Sequence, residues 1–147
     1  MAPKGPVTRN ARAADGGNAG AMVLRCFIVD DSPQFLAAAQ TLLERDGLTV
    51  VGAASTTEEA LRRVEDADPD VVLVDVDLGD ESGFEVVRRF QHETSLDQSR
   101  VILISTYAEE DLGELVRSAP AAAYLSKPRL SADAIRRILS DTEGASA

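Results

Sequence analysis

Five short stretches of this chain, residues 23–29, 48–53, 71–74, 101–104 and 121–125, are almost continuously apolar and lack the polar alternation of a strand with one wet face. Strands buried on both sides of a parallel sheet read this way. The runs recur at roughly 20- to 30-residue spacing with helical periodicity between them, which predicts an α/β fold: an open, five-stranded parallel sheet with helices on both faces. No sequence repeat accompanies the alternation, so a solenoid is excluded.

The intervening segments carry helix-start signals. Ser32 before Pro33 supplies an N-cap and a first-turn proline, after which Leu36, Ala39, Leu42 and Leu43 share one face. Ser55 with Glu58, or Thr56 with Glu59, forms a capping box ahead of Ala60, Leu61 and Val64. The loop GDESG leads into Phe84, Val87 and Phe90, Thr106 with Glu109 is expected to cap Leu112, Leu115 and Val116, and Ser131 opens a last helix burying Ile135, Ile138 and Leu139. Residues 1–22, rich in Ala, Gly, Pro and Asn and without apolar periodicity, read as a flexible leader, and Met22 is a second candidate start. The folded domain is expected over 23–140, with 141–147 as a flexible tail.

The formal charge of −10 includes Lys4, Arg9 and Arg12 against Asp15 in the leader, which leaves −12 on the remainder. Such a field repels phosphate backbones, so direct nucleic-acid binding by this chain is not expected. No apolar run approaches membrane-spanning length, and residues 1–22 contain no apolar core of a secretory signal. Cys26 is the only cysteine, so no internal disulfide can form; it reads as a small buried hydrophobe, and a cytoplasmic location follows as the expectation.

In open parallel sheets ligands bind outside the carboxyl ends of the strands. The first apolar run ends in Asp30 and Asp31, the third in Asp75 with Asp77 close behind, the fourth in Ser105 and the fifth in Ser126 and Lys127. Carboxylates brought together on one edge raise one another's pKa unless a cation shares the site. Hard oxygen ligands with room for water and phosphate suit Mg²⁺. Beyond residue 22 the chain has eleven arginines and the single lysine Lys127. A lysine offers a mobile point charge where arginine would impose a planar fork. An acid pair, a central Asp, a hydroxyl and a Lys together describe a site that accepts a phosphoryl group on a carboxylate.

Four motifs, VDD at 29–31, LVDVDL at 73–78, LIST at 103–106 and YLSKP at 124–128, resemble the bacterial two-component response-regulator receiver domain over residues 24 to about 140. The resemblance implies the flavodoxin-like strand order 2-1-3-4-5. It implies Asp75 as phosphoacceptor, Asp31 and Asp75 as direct Mg²⁺ ligands, Asp30 as an acid acting through water, and the main-chain carbonyl of Asp77 as a further ligand. Ser105 matches the switch hydroxyl, Lys127 the lysine that contacts the phosphoryl group, and Tyr124 the aromatic switch, with a cis peptide before Pro128. A phosphohistidine on a sensor kinase or phosphotransfer protein would donate, the domain itself catalysing its phosphorylation and dephosphorylation. The added charge of about −1.5 to −2 would then rearrange the face of the fourth helix, fifth strand and fifth helix, where a partner protein or a second copy would dock. Gly79 stands where many receivers have proline, residues 119–121 read Ala-Pro-Ala where Gly-Ala is common, and Thr106 follows the switch serine where Ala is frequent.

Asp75-Val76-Asp77 also fits the DxD of haloacid-dehalogenase-like phosphatases, with Asp75 as nucleophile and Asp77 as general acid, but there the motif ends the first core strand. A dinucleotide fold would need G-x-G-x-x-G where this chain has Asp-Asp-Ser-Pro. His92, the only histidine, falls near a helix end and reads as a surface residue. Two readings of output stay open: a stand-alone receiver acting through protein contacts, or the receiver portion of a longer DNA-binding regulator.

Overall fold

The computed structural model describes residues 23–146, and the expected leader over 1–22 lies outside them. Strand β1 (Arg25–Val29) is followed by α1 (Pro33–Arg45), β2 (Thr49–Ala54), α2 (Thr57–Ala67) and β3 (Val71–Asp75). A small hairpin, β4 (Asp77–Leu78) and β5 (Glu81–Ser82), precedes α3 (Gly83–Glu93). The chain closes with β6 (Val101–Ser105), α4 (Glu109–Ser118), β7 (Ala123–Ser126) and α5 (Ala132–Ser146). The five long strands pair in the order β2-β1-β3-β6-β7, all parallel. Counting sheet strands alone, this is the expected 2-1-3-4-5.

Alternation along the strands divides the core in two. Phe27, Val29, Val72, Val74, Val101 and Leu103 point to one face, where Ala60 and Val64 of α2 and Phe84, Val87 and Phe90 of α3 cover them. Cys26, Ile28, Val71, Leu73, Ile102 and Ile104 point to the other, against Ala39 and Leu43 of α1 and Ala132 and Ile135 of α5. The central strands β1, β3 and β6 are therefore apolar along nearly their whole length, because both of their faces are packed away from water. The buried Cys26 thiol is pushed up to about 12 by that burial, which suits a packing residue.

Several helix starts follow the sequence signals. Ser32 Oγ accepts the Phe35 N–H at 3.2 Å and Ser131 Oγ the Ala134 N–H at 3.0 Å. Of the two capping-box options the chain uses Thr56, which accepts the Glu59 N–H, while the Glu59 carboxylate reaches back to the Ser55 N–H at 2.9 Å. Three local expectations fail. Thr106 does not cap α4, which begins at Glu109 behind Ala108 with no side-chain cap, because the chain first turns around Ser105. The last helix continues to Ser146, so 141–146 are helical where a tail was expected; no proline or β-branched run interrupts 140–143. The Lys127–Pro128 bond is trans, correcting the expected cis peptide, as no described bond is cis. Pro128 instead occupies a 3₁₀ turn (Lys127–Arg129) closed by the Leu130 N–H on the Lys127 carbonyl, a place where its fixed φ and missing N–H cost nothing.

Helix α4 differs from its neighbours. It has no fully buried residue, it is kinked at Gly113 (φ 25°), and Leu115 is half exposed. Among the described residues no helix is long and apolar enough to cross a membrane.

Candidate functional site

Register decides which side chains meet. Val29 lies beside Val74, Asp75 beside Ile104, and Ser105 beside Ser126. Asp30, Asp75, Ser105 and Lys127 thus emerge on one sheet edge, each carried by a strand whose apolar residues are locked in the core. Asp30 is wholly buried; its N–H donates to the Ala54 carbonyl and its Oδ1 accepts the Ser32 N–H at 2.8 Å. Asp31 is exposed beside it.

Asp75 accepts the Asp77 N–H on Oδ1 (3.0 Å) and the Lys127 ammonium on Oδ2 (3.0 Å). Lys127 Nζ also lies 2.7 Å from Asp30 Oδ2. Burial, helped by the neighbouring charge of Asp30, pushes the Asp75 carboxyl up to about 6, although the Asp77 N–H and Lys127 pull the other way. For Lys127, burial favours the neutral amine, but the bonds to Asp30 and Asp75 prevail and hold its pKa above the ordinary lysine range. One ammonium therefore serves two buried carboxylates, with a third alongside.

Carboxylate oxygens of Asp30, Asp31 and Asp75 lie within 4.8 Å of one another. Asp30 Oδ2 is buried and no hydrogen-bond donor is aligned on it, despite the nearby ammonium. Three carboxylates that share a single ammonium fit a hard cation, and the donor set is all oxygen. Gly79 contributes space: it adopts φ +75°, and a Cβ there would come 3.1 Å from Asp31 Oδ2. Gly83 is tighter still, since a Cβ would collide with the Asp75 carbonyl oxygen and come 2.7 Å from its carbon. The start of α3 is pressed directly against the backbone that carries Asp75.

The other expected residues also have definite places. Asp77 opens the β4–β5 hairpin, exposed, and its carboxylate accepts the Gly79 N–H at 3.2 Å. That turn occupies the side chain that a phosphatase would use as general acid. Ser105 is buried, its Oγ accepting the Tyr107 N–H at 3.0 Å, and its hydroxyl also meets the Tyr124 hydroxyl. The Tyr124 hydroxyl donates to the Tyr107 carbonyl, tying the β7 ring to the loop after Ser105. Burial raises the Tyr124 pKa. His92 is exposed in the last turn of α3, far along the chain from any of these groups.

Two residues of this neighbourhood escape the sequence reading. Glu81 of the hairpin accepts both the Thr57 N–H (2.7 Å) and the Thr57 hydroxyl (2.8 Å), fastening the loop after Asp75 to the first turn of α2. Phe35 places its ring under Lys127. Phe35 shares a helical face with Ala39 one turn after the acidic pair, and that position was the available signal.

The comparisons agree with this geometry. A family model described as the response regulator receiver domain matches residues 26–139. The transcriptional activator protein ExaE of Pseudomonas putida is 36% identical over 117 residues, which cover 77% of this chain and 54% of that protein. The response regulator UvrY of Escherichia coli (strain K12) is 32% identical over 122 residues, covering 80% and 55% respectively. This chain spans about half the length of the curated relatives it matches. Among solved structures, a CheY-like response regulator receiver domain protein from Methanospirillum hungatei JF-1 superposes with a TM-score of 0.65 at 28% identity, covering 84% of this chain and 98% of that one. No support emerges for the phosphatase alternative, whose motif would end a first strand where Asp75 ends β3. With the fold, the strand-end acids and the family match in agreement over the same residues, the chain belongs to the response regulator receiver domain family of two-component signalling.

Proposed function

We propose that Asp75 accepts a phosphoryl group from a phosphohistidine of a sensor kinase or phosphotransfer protein, with Mg²⁺ held by Asp31, Asp75, the main-chain carbonyl of Asp77 and, through water, Asp30. The observation that carries this reading is a single ammonium, Lys127, set between Asp30 at 2.7 Å and Asp75 at 3.0 Å beside a third carboxylate. That arrangement leaves negative charge in excess at the one place where a carboxylate must act as a nucleophile. Bound there, Mg²⁺ would neutralise the excess and polarise the phosphoryl oxygens.

Asp75 attacks phosphorus as the carboxylate, which predominates at neutral pH for a group near pKa 6. The new O–P bond replaces the N–P bond, and the imidazole leaves with a proton from water. Lys127 passes from Asp75 to the phosphoryl oxygens, and the Ser105 hydroxyl donates to one of them. The domain thereby catalyses its own modification and, with water as the attacking group, its own reversal. The moves of Ser105 and Tyr124 carry the change to α4, β7 and α5, where the downstream partner or a second copy binds. The weak packing of α4 and the Tyr124–Tyr107 bond support that route. The receiver runs from residue 23 through helix α5 and works in the cytoplasm.

Incubation with acetyl phosphate and Mg²⁺, followed by intact-mass measurement, tests the reading. A gain of one phosphoryl group is expected, and none in Asp75→Asn. No gain in the wild-type chain, or an equal gain in the variant, would overturn it.

A further inference from the structure

Lys127 has a neighbour besides its carboxylates: its Nζ lies 4.1 Å from the centroid of the Phe35 ring. Phe35 comes from the first turn of α1, its N–H held by Ser32 Oγ. The cap that follows Asp31 therefore also sets the aromatic residue. The ring is partly buried and packs on the side of the core that includes Ile28, Leu43 and Ile104. Packing fixes the ring, while Lys127 approaches it on a flexible stem with its side chain 14% exposed.

We propose that Phe35 is a positioning residue for Lys127, its ring the pivot on which the ammonium turns from Asp75 to the incoming phosphoryl group. The proposal rests on Asp75 being the acceptor. The hydrogen bond to Asp75 is directional and must be given up when that carboxylate is modified, while the ion pair to Asp30 stays. Attraction to the ring face depends on distance from the ring and not on which of the three N–H groups points at it. The ammonium can exchange one oxygen for another without leaving Phe35, and the ring keeps water from that flank throughout. This gives a physical reason for the one lysine in a region otherwise furnished with arginine, whose planar fork could not turn in the same way.

The chain has two lysines, Lys4 and Lys127, so lysine labelled with ¹³C at Cε yields two methylene signals. The Lys127 signal should be shifted upfield by the ring in the wild-type protein and lose that shift in Phe35→Leu. Phosphorylation by acetyl phosphate should slow about tenfold in Phe35→Leu, because the ammonium loses the fixed position from which it meets the phosphoryl group, with Mg²⁺ affinity by calorimetry unchanged. Pentafluorophenylalanine incorporated at position 35 keeps the ring's shape and reverses its quadrupole, so it should be as slow as Leu, whereas Phe35→Tyr should stay near wild type. A fluorinated protein reacting at the wild-type rate would show that the ring only packs and would overturn the proposal. An unshifted Lys127 signal in the wild-type protein would do the same. A wild-type protein that gains no phosphoryl mass overturns instead the reading of Asp75 as acceptor.

Discussion

Replacing Asp75 with Asn should stabilise the metal-free protein at neutral pH. The Asp75 carboxyl sits at about 6 against an ordinary 3.8, so the folded state resists its ionisation by about 2 pH units, or about 3 kcal/mol. The side chain is 8% exposed, so solvent screening removes little of this. The pull of Lys127 on the carboxylate is already contained in that shift, and in the variant Lys127 retains Asp30. The expected gain is about 3 kcal/mol, or roughly 9–15 °C in Tm for a domain of this size. The sign with pH follows from a raised acid pKa: the folded state binds more protons than the unfolded between about 4 and 6, so wild-type stability falls as pH rises through that window. Urea denaturation in EDTA at pH 4 and pH 7.5 checks this, and the advantage of Asp75→Asn should shrink towards zero at the lower pH. Adding Mg²⁺ at 100 times its Kd should return about 2.7 kcal/mol to the wild type and less to the variant. A variant less stable than wild type at pH 7.5 in EDTA, or a gap independent of pH, would refute the reasoning.

Gly83→Ala should cost about 2–3 kcal/mol and prevent phosphorylation, because its Cβ collides with the Asp75 carbonyl; near-wild-type stability in denaturation would contradict that packing. Lys127→Ala leaves Asp30 and Asp75 without their shared counter-charge and should cost about 3 kcal/mol in EDTA, part of it restored by Mg²⁺. An Mg²⁺-insensitive loss, read from the same melts, would argue against a cation at the three carboxylates. Glu81→Ala removes two hydrogen bonds at Thr57 and should cost about 1 kcal/mol with weaker Mg²⁺ binding by calorimetry. An unchanged Mg²⁺ affinity would show that the hairpin keeps its shape without that tether.

Residues whose positions are written into a strand were legible beforehand. Asp30, Asp75, Ser105 and Lys127 each follow an apolar run, and once those runs pair in parallel the residues after them must share an edge. The Ser32 and Ser131 caps were legible for the same reason, since a cap acts within one turn of its own sequence. Thr106 misled because its pattern is locally sound, yet Ser105 had already committed the next N–H to a turn. The short β4–β5 hairpin has too few residues to carry a period. Pro128 was expected in cis from resemblance alone, and the 3₁₀ turn at Lys127–Arg129 accommodates it in trans.

The sequence by itself determined the parallel sheet and the edge on which Asp30, Asp31, Asp75 and Lys127 meet. Periodicity and position along the chain encode which face of an element is buried and what stands at its end. Tertiary structure decided the encounters between elements: Phe35 under Lys127, Glu81 on Thr57, Gly83 against the Asp75 backbone, and Tyr124 on the Tyr107 carbonyl. Those contacts join residues that share no period and no motif, and they exist only because sheet register and helix packing fix distances that the order of amino acids does not state.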